Sequence, residues 1–132
     1  MPFTLGNLGL AALAGGRPAD AHVLFLRALA IADELDYTEA LVYGLEGVAA
    51  ALAATGAPER AATLLGAADA AATAASLVLE PLELRVHDET SAALADALGD
   101  DTFAALYAAG GKVGLRDAAA DALGEQRPQV TA

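Results

Sequence analysis

The feature that most constrains the fold is an internal repeat, in which the first third of the chain resembles the second. The turn residues Gly16 and Pro18 recur as Gly56 and Pro58, an offset of 40 residues. The apolar pattern keeps the same register, which pairs Leu5 with Leu45, Leu8 with Val48, Ala12 with Leu52, Ala21 with Ala61, Leu24 with Leu64, Phe25 with Leu65 and Ala28 with Ala68. Such self-similarity is typical of stacked helical hairpins, because each hairpin buries its apolar face against the next.

The composition favours helix throughout. Alanine supplies more than a quarter of the 132 residues, tryptophan is absent and β-branched residues are few. Alanine loses no side-chain entropy when a helix forms, so the sequence predicts an all-α fold. Apolar periodicity and turn residues predict helices at 3–15, 18–36, 38–55, 58–78, 80–98, 101–109 and 115–123.

Helix starts are predicted from capping residues and prolines. Pro18, Pro58 and Pro81 suit the first turn of a helix, where a missing backbone N–H costs nothing. Asp36, with Glu39 three positions later, predicts a capping box before the third helix. Asp100 is the predicted cap of the sixth helix.

The first repeat resembles a tetratricopeptide repeat. The residues at the positions that define this family are Leu5, Leu8, Gly9, Ala12, Ala21, Phe25 and Ala28. The second repeat departs from the family, since Ala49 replaces its glycine and Leu65 its phenylalanine, and a period of 40 exceeds the usual value of about 34 residues. The resemblance implies a right-handed solenoid of two helical hairpins.

The expected organisation is one tetratricopeptide-like domain over residues 1–124, followed by a flexible tail at 125–132. Within the domain, 3–36 is the first repeat and 38–78 the second. After the second repeat the register is lost, and 80–123 is expected to form helices that cap the exposed end of the solenoid.

Charge and cysteine content exclude several function classes. Eighteen acidic residues against seven basic ones give a net charge of -11, so the chain lacks the basic stripe needed for direct nucleic-acid binding. The absence of cysteine excludes disulfides, a thiol nucleophile and cysteine-ligated zinc. No signal peptide or membrane-spanning stretch is evident, and the expected location is cytoplasmic.

No catalytic, cofactor or metal site is predicted. His22 and His87 are the only histidines, and neither has a second histidine four residues later. The run His87-Asp88-Glu89 is interpreted as part of the solvated face of the fifth helix. The segment 110–114 lacks the Ser or Thr of a phosphate-binding loop. Hydroxyl residues show no activating base nearby, so the chain is expected not to be an enzyme, and a helical enzyme of unknown reaction remains a minor alternative.

The tetratricopeptide resemblance implies a concave groove that binds a protein, a peptide or a small-molecule inducer. Its predicted lining consists of Phe3, Asn7, Leu10, Tyr43, Glu46 and Ala50. Asn7 stands where carboxylate-clamping members of that family keep an asparagine, but the lysines and arginines of the clamp have no counterpart here.

A second resemblance covers most of residues 5–123. The segments 44–49, 56–68, 100–110 and 115–118 look like the C-terminal helical region of actinobacterial LuxR-type and antibiotic-regulatory transcriptional regulators, which carry a nucleotide-binding switch domain. The order Pro-Glu-Arg-Ala, Leu-Leu-Gly-Ala-Ala and a late Phe carries the likeness. The family's pattern is broken at Lys112 and Gly114, between the last two segments, and at Arg116 in the last one.

This second resemblance implies a sensor or scaffold module, in which an inducer or partner peptide binds the groove and shifts the state of a regulator. The chain starts inside an apolar-periodic pattern, which suggests a fragment of a longer regulator. No DNA-binding domain or nucleotide loop is recognisable in the sequence, so those activities are not expected here. The alternative is a free-standing scaffold or adaptor that forms a homodimer through its exposed solenoid edge.

Overall fold

The computed structural model describes residues 2–124, which form seven α-helices and no strand. The all-α expectation is therefore confirmed. The helices are α1 (Pro2–Ala14), α2 (Pro18–Leu35), α3 (Thr38–Ala54), α4 (Pro58–Ala74), α5 (Pro81–Leu98), α6 (Asp100–Gly110) and α7 (Leu115–Gly124). The tail predicted at 125–132 lies outside the described residues. None of the seven helices is long and apolar enough to cross a membrane.

Six of the seven helices end within one residue of their predicted C-terminus, and α4 is the exception. It ends at Ala74, whereas the sequence predicts 78. Ser76 adopts a left-handed conformation with φ of 56°, and the N–H of Leu77 donates to the carbonyl of Ala72 at 2.9 Å. This 6→1 hydrogen bond closes the helix, and the chain then crosses to α5.

Pro18, Pro58 and Pro81 each occupy the first position of a helix, as predicted. The capping box at Asp36 is wrong. Asp36 instead ends α2 in a left-handed conformation with φ of 53°, and its carboxylate pairs with Arg116 of α7. Because the side chain is drawn towards α7, it does not cap α3.

The predicted cap at Asp100 is also wrong, because Asp100 is already the first residue of α6. Gly99 occupies the cap position, with φ of 84°. This conformation favours glycine, and it lets α5 and α6 follow each other with a single residue between them.

Helix α3 is the centre of the packing, since it contacts α1, α2, α4, α5 and α7. Leu41, Leu45 and Val48 on α3 are almost fully buried. Helix α7 packs against α2, α3 and α4, while α5 packs against α3, α4 and α6.

Glycines let three pairs of helices approach closely: α1 and α2, α2 and α3, and α4 and α6. The buried ring of Phe25 on α2 lies against Gly9 of α1 and Gly47 of α3, and a Cβ atom at either glycine would overlap that ring. Helix α4 crosses α6 with backbone against backbone. A Cβ at Gly66 would overlap the carbonyl of Tyr107, and one at Gly110 would overlap the carbonyl of Thr63.

We therefore expect Gly66→Ala to lower the free energy of unfolding by about 1–3 kcal/mol, because backbone atoms cannot yield by changing rotamer. Urea unfolding followed by circular dichroism measures this change. The matched control is Gly6→Ala in α1, since nothing lies within 4 Å of a Cβ at that position. This variant should be neutral or up to about 1 kcal/mol more stable. Equal unfolding midpoints for Gly66→Ala and the wild type would contradict the close crossing.

Candidate functional site

A cavity of about 230 Å³ lies between α1, α3 and the beginning of α5. Helix α3 forms its floor, and within the described residues no Cα atom of α1 lies within 8 Å of a Cα atom of α5. Its apolar and aromatic lining consists of Phe3, Leu10, Phe25, Tyr43 and Val86. Its polar lining includes Asn7, Glu39, Glu46, Glu80, Glu83 and His87.

The aromatic wall is held by edge-to-face contacts. The ring of Phe3 meets that of Tyr43 with centroids 6.1 Å apart and an interplanar angle of 70°. It meets Tyr37 at 5.5 Å and 83°. These contacts fix the beginning of α1 over α3, so the wall is ordered before any ligand enters.

The cavity carries negative charge. Burial, together with the nearby carboxylates of Glu39, Glu83 and Glu80, raises the pKa of Tyr43. The Oε2 atom of Glu83 is buried and has no hydrogen-bond partner. A cation inside the cavity would therefore satisfy an acceptor that the protein leaves open.

The structure brings five of the six predicted groove residues around this one cavity: Phe3, Asn7, Leu10, Tyr43 and Glu46. The sixth, Ala50, lines an adjoining cavity of about 450 Å³. The two cavities share Leu10 and Val86, and together they follow the cleft between α1 and α5.

The sequence interpretation of 80–123 as a cap does not predict that α5 contributes side chains to the cavity. Glu80, Glu83 and His87 all reach the cavity from the beginning of α5. Their spacing of three and four residues places them on one helical face, which is the signal that could have revealed them.

Deeper in the structure, four helices each contribute one polar side chain to a cluster, here called the acidic–histidine cluster: Glu46 of α3, Asp69 of α4, His87 of α5 and Tyr107 of α6. His87 Nε2 lies 2.7 Å from Asp69 Oδ2, and the Tyr107 hydroxyl donates to the same oxygen. On the other side of the imidazole, Nδ1 lies 3.3 Å from Asp88 Oδ1.

Glu46 is the unusual member of the cluster. Its side chain is only 8% exposed, and neither carboxylate oxygen has a hydrogen-bond partner. Its closest approach to the imidazole is 4.0 Å, between Oε1 and His87 Nε2, which is beyond hydrogen-bonding distance.

The expectation that His87 lies on the solvated face of α5 is wrong. Its side chain is 20% exposed and faces Asp69 across the contact between α5 and α4. Local sequence motifs do not reveal the cluster, because Glu46, Asp69 and His87 are far apart in the sequence. The available signal was an acidic residue within an otherwise apolar helical stretch, at Glu46 and again at Asp69.

The protonation states follow from burial and contacts. Burial, together with the nearby Asp69, raises the pKa of Glu46 to about 10. Burial alone would raise the pKa of Asp69, but its interactions with His87, Glu46 and Tyr107 outweigh burial and hold that pKa below its usual value. The hydrogen bond to Asp69 raises the pKa of His87 against the opposing effect of burial. Burial and Asp69 also raise the pKa of Tyr107.

At neutral pH the cluster thus contains a neutral Glu46 beside an ionised Asp69. Both ring nitrogens of His87 are engaged by carboxylates, so neither is directed at the cavity as a general base. The ionised Asp69 at the centre of the cluster is suited to binding a cation.

Comparison with protein-family models, curated proteins and solved structures finds no match to this chain. The relationship to the tetratricopeptide and LuxR-type families therefore stays a prediction from the sequence.

The raised pKa of Glu46 predicts a pH-dependent effect of Glu46→Gln. The folded wild type keeps a proton that the unfolded chain loses above pH 4.5, so Glu46 destabilises the fold as the pH rises towards about 10. Glutamine has the same shape and does not titrate. The stability of Glu46→Gln relative to wild type should thus increase by up to about 1.4 kcal/mol per pH unit.

Urea unfolding in EDTA at about pH 5 and about pH 8 measures this difference. Because Glu46 and Asp69 influence each other's protonation, the difference between the two variants measures the titration of this pair. The same stability difference at both pH values would contradict a protonated Glu46.

Proposed function

We propose that this chain is a non-catalytic ligand-sensing module with a tetratricopeptide-like architecture, related to the C-terminal region of actinobacterial LuxR-type transcriptional regulators. In this proposal α1–α2 and α3–α4 are the two repeats. The 40-residue self-similarity and the packing of Phe25 between Gly9 and Gly47 support it. Helices α5–α7 cover the end of the second repeat.

The observation that carries the proposal is the combination of an ordered aromatic wall with unpaired carboxylate oxygen in one cavity. Phe3 and Tyr43 provide apolar contact area. Glu83 has a buried oxygen without a partner, and Glu80 lies beside it on the same wall. This chemistry fits a small organic cation with an apolar body, such as an arylalkylamine.

The sensing step follows from the way the cavity is built. Helices α1 and α5 face each other across α3, and in the described part of the chain no Cα atom of one lies within 8 Å of a Cα atom of the other. A ligand that contacts Phe3 on α1 and Glu83 on α5 joins the two helices and stabilises the arrangement seen in the structure. Ligand binding would thus alter how α5 and the helices after it present themselves to a regulator.

Thermal unfolding with a matched pair of probes tests the ligand class. We expect 2-phenylethylamine to raise the Tm and 3-phenylpropionate, of similar size but opposite charge, to leave it unchanged. Glu83→Gln should reduce the amine-induced shift by more than half, because it removes the unpaired charge while preserving side-chain shape.

Asp20→Asn is the control, since Asp20 is an exposed acidic residue on α2 away from the cavity. It should respond to the amine like the wild type. Equal shifts with the amine and the carboxylate, or an undiminished amine response in Glu83→Gln, would contradict the proposed ligand class.

Self-association is the second candidate function. Leu8 of α1 is 51% exposed and Val23 of α2 is 47% exposed, so the first hairpin presents apolar surface to solvent. We expect any dimer to be weakened at least tenfold by Leu8→Glu, measured by sedimentation equilibrium. A wild-type chain that remains monomeric at all accessible concentrations would remove this alternative.

A further inference from the structure

We propose that Glu46, Asp69 and His87 form a binding site for a divalent transition-metal ion, with Zn²⁺ as a suitable probe. The three residues come from α3, α4 and α5, and one ligand atom from each lies within 4.8 Å of the others. This site does not depend on the organic ligand proposed for the cavity, and the two can be tested separately.

The spacing suits a single ion. Bonds of about 2.0–2.2 Å from Zn²⁺ to nitrogen or oxygen place pairs of ligand atoms about 3–4 Å apart. The separation of 4.0 Å between His87 Nε2 and Glu46 Oε1 already lies in this range. The 2.7 Å hydrogen bond from His87 Nε2 to Asp69 Oδ2 has to lengthen by a few tenths of an ångström, once Nε2 exchanges its proton for the metal.

The unpartnered Glu46 carboxylate is the strongest indication of a missing ligand. It is more than nine-tenths buried, and neither of its oxygens has a hydrogen bond. Buried carboxyl groups without partners are costly and uncommon in native proteins. Among residues 2–124, no lysine or arginine forms an ion pair with Glu46 or Asp69. Asp69 is already engaged by His87 and Tyr107, so Glu46 is the carboxylate that a bound cation would newly satisfy.

The surrounding contacts are those that orient metal ligands. Asp88 Oδ1 lies 3.3 Å from His87 Nδ1, so a proton held on Nδ1 leaves the lone pair of Nε2 directed at the cluster. The Tyr107 hydroxyl donates to Asp69 and fixes that carboxylate. The close crossing of α4 and α6 holds Tyr107 in this position.

The donor set indicates the class of ion. Binding releases the proton of Glu46 and the proton on His87 Nε2 to solvent, because metal ligands must be deprotonated. The resulting two carboxylates and one neutral imidazole carry two negative charges, which match a divalent cation. Imidazole favours Zn²⁺, Fe²⁺, Co²⁺ or Ni²⁺ over Mg²⁺ and Ca²⁺. Three protein ligands leave a coordination position open, and because Glu46 and His87 line the cavity, a water or ligand atom in that cavity would complete the shell.

Isothermal titration of the untagged, EDTA-stripped chain with ZnCl₂ tests the site. We expect one equivalent to bind with a Kd in the micromolar range or tighter, and titration with MgCl₂ to give at least a hundredfold weaker binding. Glu46→Gln and His87→Asn should each weaken Zn²⁺ binding at least tenfold. Circular dichroism verifies that both variants keep the wild-type helix content.

His22→Asn is the matched control, because it removes the other histidine and lies on α2, away from the cluster. It should bind Zn²⁺ like the wild type. Asp88→Ala should weaken binding about tenfold as a positioning residue that contacts His87 and not the ion. Substitution with Co²⁺ gives an independent readout, a visible absorption spectrum that Glu46→Gln should change.

Two results would overturn the proposal. One is the absence of one-equivalent Zn²⁺ binding to the wild type. The other is binding that His87→Asn and Glu46→Gln leave unchanged, which would assign the ion to the acidic surface. The phenylethylamine experiment has a different readout and a different variant, Glu83→Gln. A negative result there would not contradict the metal site, and a negative Zn²⁺ result would not contradict the proposed amine ligand.

Discussion

The close approach of helix backbones at glycine is the constraint on which the rest of this structure depends. At Gly66 and Gly110 the backbones of α4 and α6 touch, and no side chain can be inserted between them. This crossing sets the distance between Asp69, which lies one helical turn after Gly66, and Tyr107, whose backbone is part of the contact. On the other side of α3, the ring of Phe25 packs against Gly9 and Gly47, which have no side chain in its way, and it also lines the cavity.

Glu46 is a carboxyl group in an otherwise apolar part of the core. It lies on the most enclosed helix, among alanines and leucines that pack without polar groups, and its pKa is raised to about 10 because burial disfavours its charge. An apolar side chain of similar volume would fill the same space without the desolvation cost. Local choices that disagree with the surrounding fold are expected at functional sites, and this one lies where the cavity and the acidic–histidine cluster meet.

The helices could be predicted from the sequence because prolines and glycines mark their ends locally, as at Pro18 and Pro58. The capping prediction at Asp36 failed for a non-local reason, because Asp36 pairs with Arg116, 80 residues later in the chain. The groove residues on α1 and α3 are predicted from the tetratricopeptide resemblance of the first repeat. Those on α5 are not, because the register stops before α5 and only the packing of α5 on α3 and α4 brings His87 to Asp69.

The cavity and the acidic–histidine cluster share α5, so the two proposed ligands would act on the same helix. Glu83 faces the cavity one turn before His87, which belongs to the cluster. An ion held by His87 would fix α5 against α3 and α4, and a cation held by Glu83 would fix its beginning across α3 from α1. Each proposed ligand would thus restrict conformational freedom that the other would otherwise have to restrict, which would give positive coupling. Charge repulsion between the two cations opposes this effect, and salt weakens that repulsion while leaving the packing contribution in place.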